Sequence, residues 1–187
     1  MQRSYNWSFR KPTITSRQNG DVLQLSSSCG FEAGIGCTGR VRLEVPEDVA
    51  LRLDNSDGST TLRDLTGTVD LETSDGSVNA SNLTGPLNLR TSDGSLHATG
   101  LRSSEVDAVT SDGSVHLEFD VAPSNLTART SDGSVLITVP PDDTAYAVTG
   151  SSSDGDRDID VPTDPDATTH RMDITTSDGS VKVTDSP

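Results

Sequence analysis

The residues of this 187-residue chain best equipped for chemistry are aspartates that recur in one short setting. Ser-Asp-Gly begins at Ser56, Ser74, Ser92, Ser111, Ser131, Ser153 and Ser177, at spacings of 18, 18, 19, 20, 22 and 24 residues. Six copies continue with Ser, and the seventh reads Ser153-Asp154-Gly155-Asp156. Stacked one above another, Asp57, Asp75, Asp93, Asp112 and Asp132, continued by Asp154 and Asp178, would form a calcium ladder of hard oxygen ligands. The nonapeptide calcium roll needs Gly-Gly-x-Gly-x-Asp at both of its corners. Here the alternate corner is Leu65-Thr66-Gly67 or Leu83-Thr84-Gly85, which brings no carboxylate. Carboxylates one coil apart repel by about 1 kcal/mol in a water-like dielectric, whereas a charged hydrogen bond to turn amides returns about 1.5–3 kcal/mol. The expectation is therefore a turn. Each Asp bonds the amides of its own corner, and Gly58, Gly76, Gly94, Gly113, Gly133, Gly155 and Gly179 supply positive φ. No metal or cofactor is required.

Cys29 and Cys37 enclose the glycine-rich Gly30-Phe31-Glu32-Ala33-Gly34-Ile35-Gly36. A metal centre wants more ligands than two thiols, and no further Cys or His lies close in sequence. A disulfide is the preferred reading, with free thiols the alternative; a disulfide fits an oxidising compartment. His97 and His116 hold equivalent outward positions on adjacent repeats, with Asn79 and Leu136 as column neighbours, so a zinc ion would find no third strong ligand. Surface histidines with mutually depressed pKa are expected. No Gly-x-Ser-x-Gly elbow, phosphate loop, zinc-protease histidine pair or Cys-His arrangement occurs. No catalytic residue is assigned.

These residues must be positioned by the segments between the corners. Before each Ser-Asp-Gly stand apolar pairs such as Leu51/Leu53, Val69/Leu71 and Leu87/Leu89; after it stand Val78/Ala80, Leu96/Ala98 and Val115/Leu117. Polar residues alternate with them, which is the period of a strand with one dry and one wet face. The sixth copy breaks the rule with Gly150, Arg157 and Ile159. Gly58, Gly67, Gly76, Gly85 and Gly94 recur every nine residues, so each repeat is two short strands and two corners. A lone repeat buries too few side chains to offset the entropy of ordering it, so copies must stack. An antiparallel meander with Asp-Gly hairpins is the alternative, but near-identical residues at every second corner favour a stacked ladder. A left-handed hexapeptide helix fails at Val78, Thr84 and Arg90. The expected fold is all-β: a β-solenoid like a right-handed parallel β-helix, with about 18–24 residues per coil.

Residues 1–45, with alternating Tyr5, Trp7 and Phe9, read as N-terminal capping strands that include the Cys29–Cys37 loop, and 46–187 as one continuous solenoid. Asn19 to Leu25 resembles a degenerate half-repeat, and Val41 to Val45 a strand stopped by Pro46. In the column Asn55, Thr73, Thr91, Thr110, Thr130, Ser152 and Thr176, hydroxyls at the strand ends are expected to satisfy corner backbone groups.

A formal charge of −15 argues against nucleic acid or anionic membrane as partners, since both are polyanions. No apolar run approaches a membrane span or signal-peptide core, so a soluble segment is expected, with membrane attachment only through an anchor absent from this chain. Arg far exceeds Lys, a hint of a bacterial source.

Thr73–Val78, Thr91–Leu96, Thr110–Val115, Thr130–Val135 and Thr176–Val181, with Leu-x-Gly between them, resemble the bacterial family of adhesin-like β-strand-repeat proteins over about residues 19–187. That resemblance implies an extracytoplasmic, cell-surface protein with no catalytic residues to carry over. The expected function is a non-catalytic surface-binding or spacer module whose partner is a cell-surface protein or glycan. A polysaccharide-acting enzyme on the same scaffold, or a calcium-stiffened structural module, is the alternative.

Overall fold

The computed structural model describes residues 3–8, 13–19, 22–28 and 38–186, and no helix occurs among them. The chain divides into two units, Met1–Val45 and Pro46–Pro187. In the first, β1 (Arg3–Ser8) pairs antiparallel with β4 (Thr38–Leu43), and β2 (Thr13–Asn19) pairs antiparallel with β3 (Val22–Ser28). The segment expected to be a half-repeat is thus one side of an antiparallel pair. Cys29, Cys37 and Phe9 lie outside the described residues.

The second unit is a β-solenoid of seven two-strand coils. In chain order these are β5 (Leu51–Asn55) and β6 (Thr60–Leu65), β7 (Val69–Thr73) and β8 (Val78–Leu83), β9 (Leu87–Thr91) and β10 (Leu96–Leu101), and β11 (Glu105–Val109) and β12 (Val115–Phe119). There follow β13 (Asn125–Arg129) and β14 (Val135–Val139), β15 (Ala147–Thr149) and β16 (Arg157–Asp160), and β17 (Arg171–Thr175) and β18 (Val181–Asp185). Odd-numbered strands form one seven-stranded parallel sheet, sheet A, and even-numbered strands form another, sheet B. Alternation explains the two-sheet form: in β7 the residues Val69, Leu71 and Thr73 are buried while Glu72 between them is exposed.

Register places like on like. Val69 pairs with Leu87, Leu87 with Val106, and Val106 with Leu126, all buried. The second to fifth coils also balance their volume. Leu71 and Leu89 in sheet A share their coils with Ala80 and Ala98 in sheet B, whereas Ala108 and Ala128 share theirs with Leu117 and Ile137. One large and one small residue in each of these four coils keep the core at a constant width, as close packing demands.

The coils do not stack in chain order, contrary to the expectation from the repeats. Sheet A runs β15-β17-β13-β11-β9-β7-β5 and sheet B runs β16-β18-β14-β12-β10-β8-β6. The last coil, β17–β18, therefore lies between the fifth and sixth, and the sixth forms the end of the stack. This accounts for the two longest spacings, 22 and 24 residues, which flank the sixth copy. The chain must step over one empty layer and later return to fill it. His170 anchors the return: its Nδ1 lies 2.8 Å from the carbonyl oxygen of Pro123, and the Arg171 N–H donates to Ser124 O at 2.9 Å. The broken sixth copy belongs at an end, where Arg157, Asp158 and Asp160 of β16 are exposed. Charges on so short an edge strand discourage further pairing.

Candidate functional site

Three surfaces arise from these elements: the Ser-Asp-Gly edge and the outer face of each sheet. Along the edge, threonine is the organising residue. Thr110 Oγ1 donates to Gly94 O (2.9 Å) and to Ser92 O (3.1 Å), and accepts from the N–H of Gly113 (3.2 Å). Thr91, Thr130 and Thr176 repeat the pattern, and Ser152 does so in the sixth coil. Each of these five hydroxyls thus links its own corner to the adjacent coil, as the column of hydroxyl residues led one to expect; Thr73 departs from it, its Oγ1 having no partner among the described residues. The carbonyl of the first serine accepts two N–H groups from the next coil, as Ser74 O does from Ser92 and Asp93. The last serine takes part too, with Ser95 Oγ accepting from Ser114 N at 3.2 Å.

Two expectations about this edge are corrected. Of the seven corner glycines only Gly58 has positive φ, at 94°. The others are required by close approach: a Cβ on Gly76, Gly94, Gly113, Gly133, Gly155 or Gly179 would lie 2.0–2.2 Å from the carbonyl oxygen of a neighbouring coil's glycine. Backbone stacked on backbone leaves no room for a side chain. Left-handed backbone occurs instead at the other corner, at Asp64 and Asn82 (φ 56°) and Gly100 (φ 63°). There Asn82 Nδ2 donates to Asp64 Oδ1 at 2.8 Å. Asn and Asp tolerate this region better than other non-glycine residues. The second correction concerns Asp57, Asp75, Asp93, Asp112, Asp132, Asp154 and Asp178. All are exposed, and none bonds the turn amides through its carboxylate. The threonine hydroxyl performs the task expected of them. Among the described residues no group of three or more His, Cys, Asp or Glu is placed to hold a metal ion.

On the outer face of sheet B, His97 and His116 are register partners with ring centroids 4.7 Å apart in an edge-to-face arrangement. Burial pushes the His116 imidazole below its ordinary pKa; a charge on His97 would lower it further, and Glu118 opposes both. Lys182 Nζ lies 3.4 Å from Asp158 further along the same face.

The outer face of sheet A holds a ladder of charge that repeat-reading passed over. Asn88 Nδ2 donates to Asp70 Oδ1 at 2.8 Å, and Arg52 lies 3.6 Å from Asp70. Arg90 bonds both Asn88 and Asp107, and Arg129 bonds Asp173. Beside these runs an open groove of about 450 Å³, lined by Asn88, Glu105, Asp107, Asn125, Thr127 and Arg129 together with Thr68 and Pro86. Asp107 Oδ1 is sequestered there without a partner. The groove offers carboxylate, amide, hydroxyl and guanidinium groups within a few rungs. The only sequence signal was the outward parity of these residues, because the repeat consensus is silent about them.

Beside the sixth coil, at the end of the stack, Tyr146 is buried, its hydroxyl has no partner among the described residues, and its ring meets His170 edge-to-face at 5.8 Å. Burial, with the nearby Asp142 charge, pushes this phenol up to about 12.

No curated protein and no solved structure matches this chain. The family model described as Toastrack DUF4097 matches residues 46–185, which is the stacked unit nearly end to end, and the chain therefore belongs to the Toastrack family.

Proposed function

We propose that this protein is a non-catalytic, extracytoplasmic surface module that presents one rigid polar face to a glycan or protein ligand and holds it at a distance from its attachment. The observation carrying this reading is the groove on sheet A, where Asn88, Glu105, Asp107, Asn125, Thr127 and Arg129 sit on consecutive rungs. Exposed ion pairs add only about 0–1 kcal/mol each to stability. The in-register ladder is therefore better understood as a way of fixing side-chain positions than of holding the coils together. Alternating donors and acceptors suit a neutral polyhydroxyl chain, while the net charge of −15 disfavours polyanions. The extracytoplasmic assignment draws on the two cysteines and the adhesin-like repeat.

Binding of neutral polysaccharides, followed by calorimetry and a glycan array, tests the assignment. Asp107→Ala combined with Arg129→Ala should abolish capture while leaving the melting temperature nearly unchanged. Cleavage of any polysaccharide, lost on Glu105→Gln, would establish the enzyme reading instead. Alkylation of unreduced protein that labels both Cys29 and Cys37 would remove the support for an oxidising compartment.

The alternative of a calcium-stiffened module rests on the exposed Ser-Asp-Gly carboxylates alone, since no three acidic groups converge among the described residues. A melting temperature unaffected by EDTA and by millimolar calcium would dispose of it.

A further inference from the structure

We propose that Asp57-Gly58 is a site of spontaneous covalent modification, converting to isoaspartate faster than the other Ser-Asp-Gly corners, because the lock that protects them is missing there. Asp-Gly is the dipeptide most open to this reaction, since glycine puts no side chain in the way of its own nitrogen. The Gly58 nitrogen attacks the Asp57 side-chain carbon Cγ. An N–Cγ bond forms, the Cγ–OH bond breaks, and the hydroxyl leaves as water with the proton lost from nitrogen. One water then opens the cyclic imide. Cleavage at Cγ–N restores aspartate; cleavage at the main-chain carbonyl leaves the backbone running through Cβ and Cγ. One water is lost and one regained, and nothing is oxidised.

Whether a corner reacts depends on whether that nitrogen can swing toward Cγ. In the corners that rest on a neighbouring Ser-Asp-Gly corner it is held. The N–H groups of Gly94, Gly113 and Gly133 each donate to a threonine Oγ1 at 3.2 Å, that of Gly179 does so at 3.3 Å, and that of Gly155 donates to Ser152 Oγ at 2.9 Å. The aspartate peptide is held as well, as when Asp93 N donates to Ser74 O at 2.9 Å. The neighbouring coil's carbonyl adds a wall about where a Cβ would sit, 2.0–2.2 Å from it.

At Asp57 all three restraints are absent. Asn55 replaces threonine, and its Nδ2 donates to Gly58 O at 3.0 Å, leaving the Gly58 N–H without a partner among the described residues. Asp57 N has no partner among the described residues either, because no Ser-Asp-Gly corner precedes it. Among the described residues nothing lies within 4 Å of a Cβ position at Gly58. Asp75 is intermediate: Thr73 Oγ1 makes no hydrogen bond, yet Asp75 N is paired and Gly76 is walled in by Gly58 O. Isomerisation adds a methylene to the main chain. The terminal coil can absorb that addition, whereas an inner coil would lose its register.

The test ages the full chain in neutral buffer and maps isoaspartate by peptide mass spectrometry, with an isoaspartyl methyltransferase and labelled S-adenosylmethionine as a second readout. Asp57 should react about tenfold faster than Asp93, Asp112 and Asp132, the factor expected when a hydrogen bond to the nucleophile is lost. Asp75 should fall between them. Asn55→Thr should slow Asp57, and Thr130→Val should accelerate Asp132 without changing Asp93. Equal rates at all corners, or an Asp57 rate unmoved by Asn55→Thr, would overturn the proposal. If Thr130→Val does not fold, the Asn55→Thr comparison decides alone.

Discussion

The hydroxyl of Thr176 donates to the carbonyl oxygen of Gly133 at 2.8 Å, across 43 residues of chain. Chain order would put Ser152 there, but Ser152 donates to Gly179 O at 2.7 Å. These two bonds record the insertion of the final coil between the fifth and sixth. The same interaction, hydroxyl to glycine carbonyl, is used by Thr91, Thr110 and Thr130, and of the inner rungs only Thr73 lacks it. The corner therefore serves as a generic connector and does not itself dictate which coil follows which. Order is set by the connecting segments and by the unsuitability of the sixth coil for an interior slot.

The threonine ladder predicts opposite outcomes for two similar substitutions. Thr130 Oγ1 donates to Gly113 O and Ser111 O and accepts from Gly133 N. Thr130→Val leaves a buried N–H unsatisfied and should cost about 1–3 kcal/mol. Thr73 Oγ1 is buried without a partner. Thr73→Val removes an unmet polar group and should be neutral or stabilising by up to about 1 kcal/mol. Urea denaturation of both variants checks the contrast.

Glycine substitutions separate close approach from backbone conformation. A Cβ on Gly113 would lie 2.1 Å from Gly94 O, and both backbones are fixed by the ladder. Gly113→Ala should cost about 3 kcal/mol or more. Gly58 has open space but a φ of 94°, so Gly58→Ala should cost about 1–2 kcal/mol from strain alone. Thermal melts should show the larger drop for Gly113→Ala. The reverse order would mean that conformation, and not contact, selects glycine at this edge.

Much of the fold could be read from the sequence because a solenoid writes its geometry into a period. Val69, Leu71, Val78 and Ala80 show by parity alone which side is dry, and the hydroxyl at Thr91 shows by phase which corner it supports. What escaped has physical reasons. Gly76 and Gly58 are the same residue in the same motif, and only the presence of a coil beneath distinguishes contact from φ. Asp64 and Asn82 take up left-handed backbone one residue before a buried leucine, a position that strand alternation does not mark. The coil exchange could have been suspected from Arg157 in an inward slot and from the lengthened segments around it. Periodicity favours adjacency, however, and carries no sign for a skipped layer. The sheet A groove was invisible for a related reason: outward residues are free to vary, so Glu105 and Arg129 stand in no consensus.

The histidine pair makes a prediction with a definite sign. Burial and the neighbouring His97 lower the pKa of His116 in the folded protein, so folding favours its neutral form. Its contribution to stability is therefore intact above the ordinary value of 6.5 and is lost as pH falls from there through the depressed one. In an NMR titration His116 should titrate below an unperturbed histidine. His97→Ala should bring it part of the way back, since burial remains as the larger cause. A His116 midpoint at or above the ordinary value would contradict the packing of these two rings.

The inserted coil predicts how the protein fails when its C-terminus is removed. In a solenoid stacked in chain order, deleting Arg171 to Pro187 would trim one end and leave the rest paired. Here it removes β17 and β18, which among the described residues are the only strand partners of β15 and β16 and one partner each of β13 and β14. Four fully buried apolar side chains go with them: Met172, Ile174, Val181 and Val183. At about 1.5–3 kcal/mol each the loss is about 6–12 kcal/mol, comparable with a whole domain stability of about 5–15 kcal/mol. The sixth coil is poorly suited to close the gap by docking on the fifth. Arg157 would fall in the Val135 column, and Gly150, at φ 112°, is shaped to the carbonyl of Ile174. Limited proteolysis of the truncated protein should cut rapidly within residues 140–170, while the intact protein resists there. Continued protection of that segment after truncation would mean that the sixth coil has slipped down one layer, and that the final coil does not set the order of the stack.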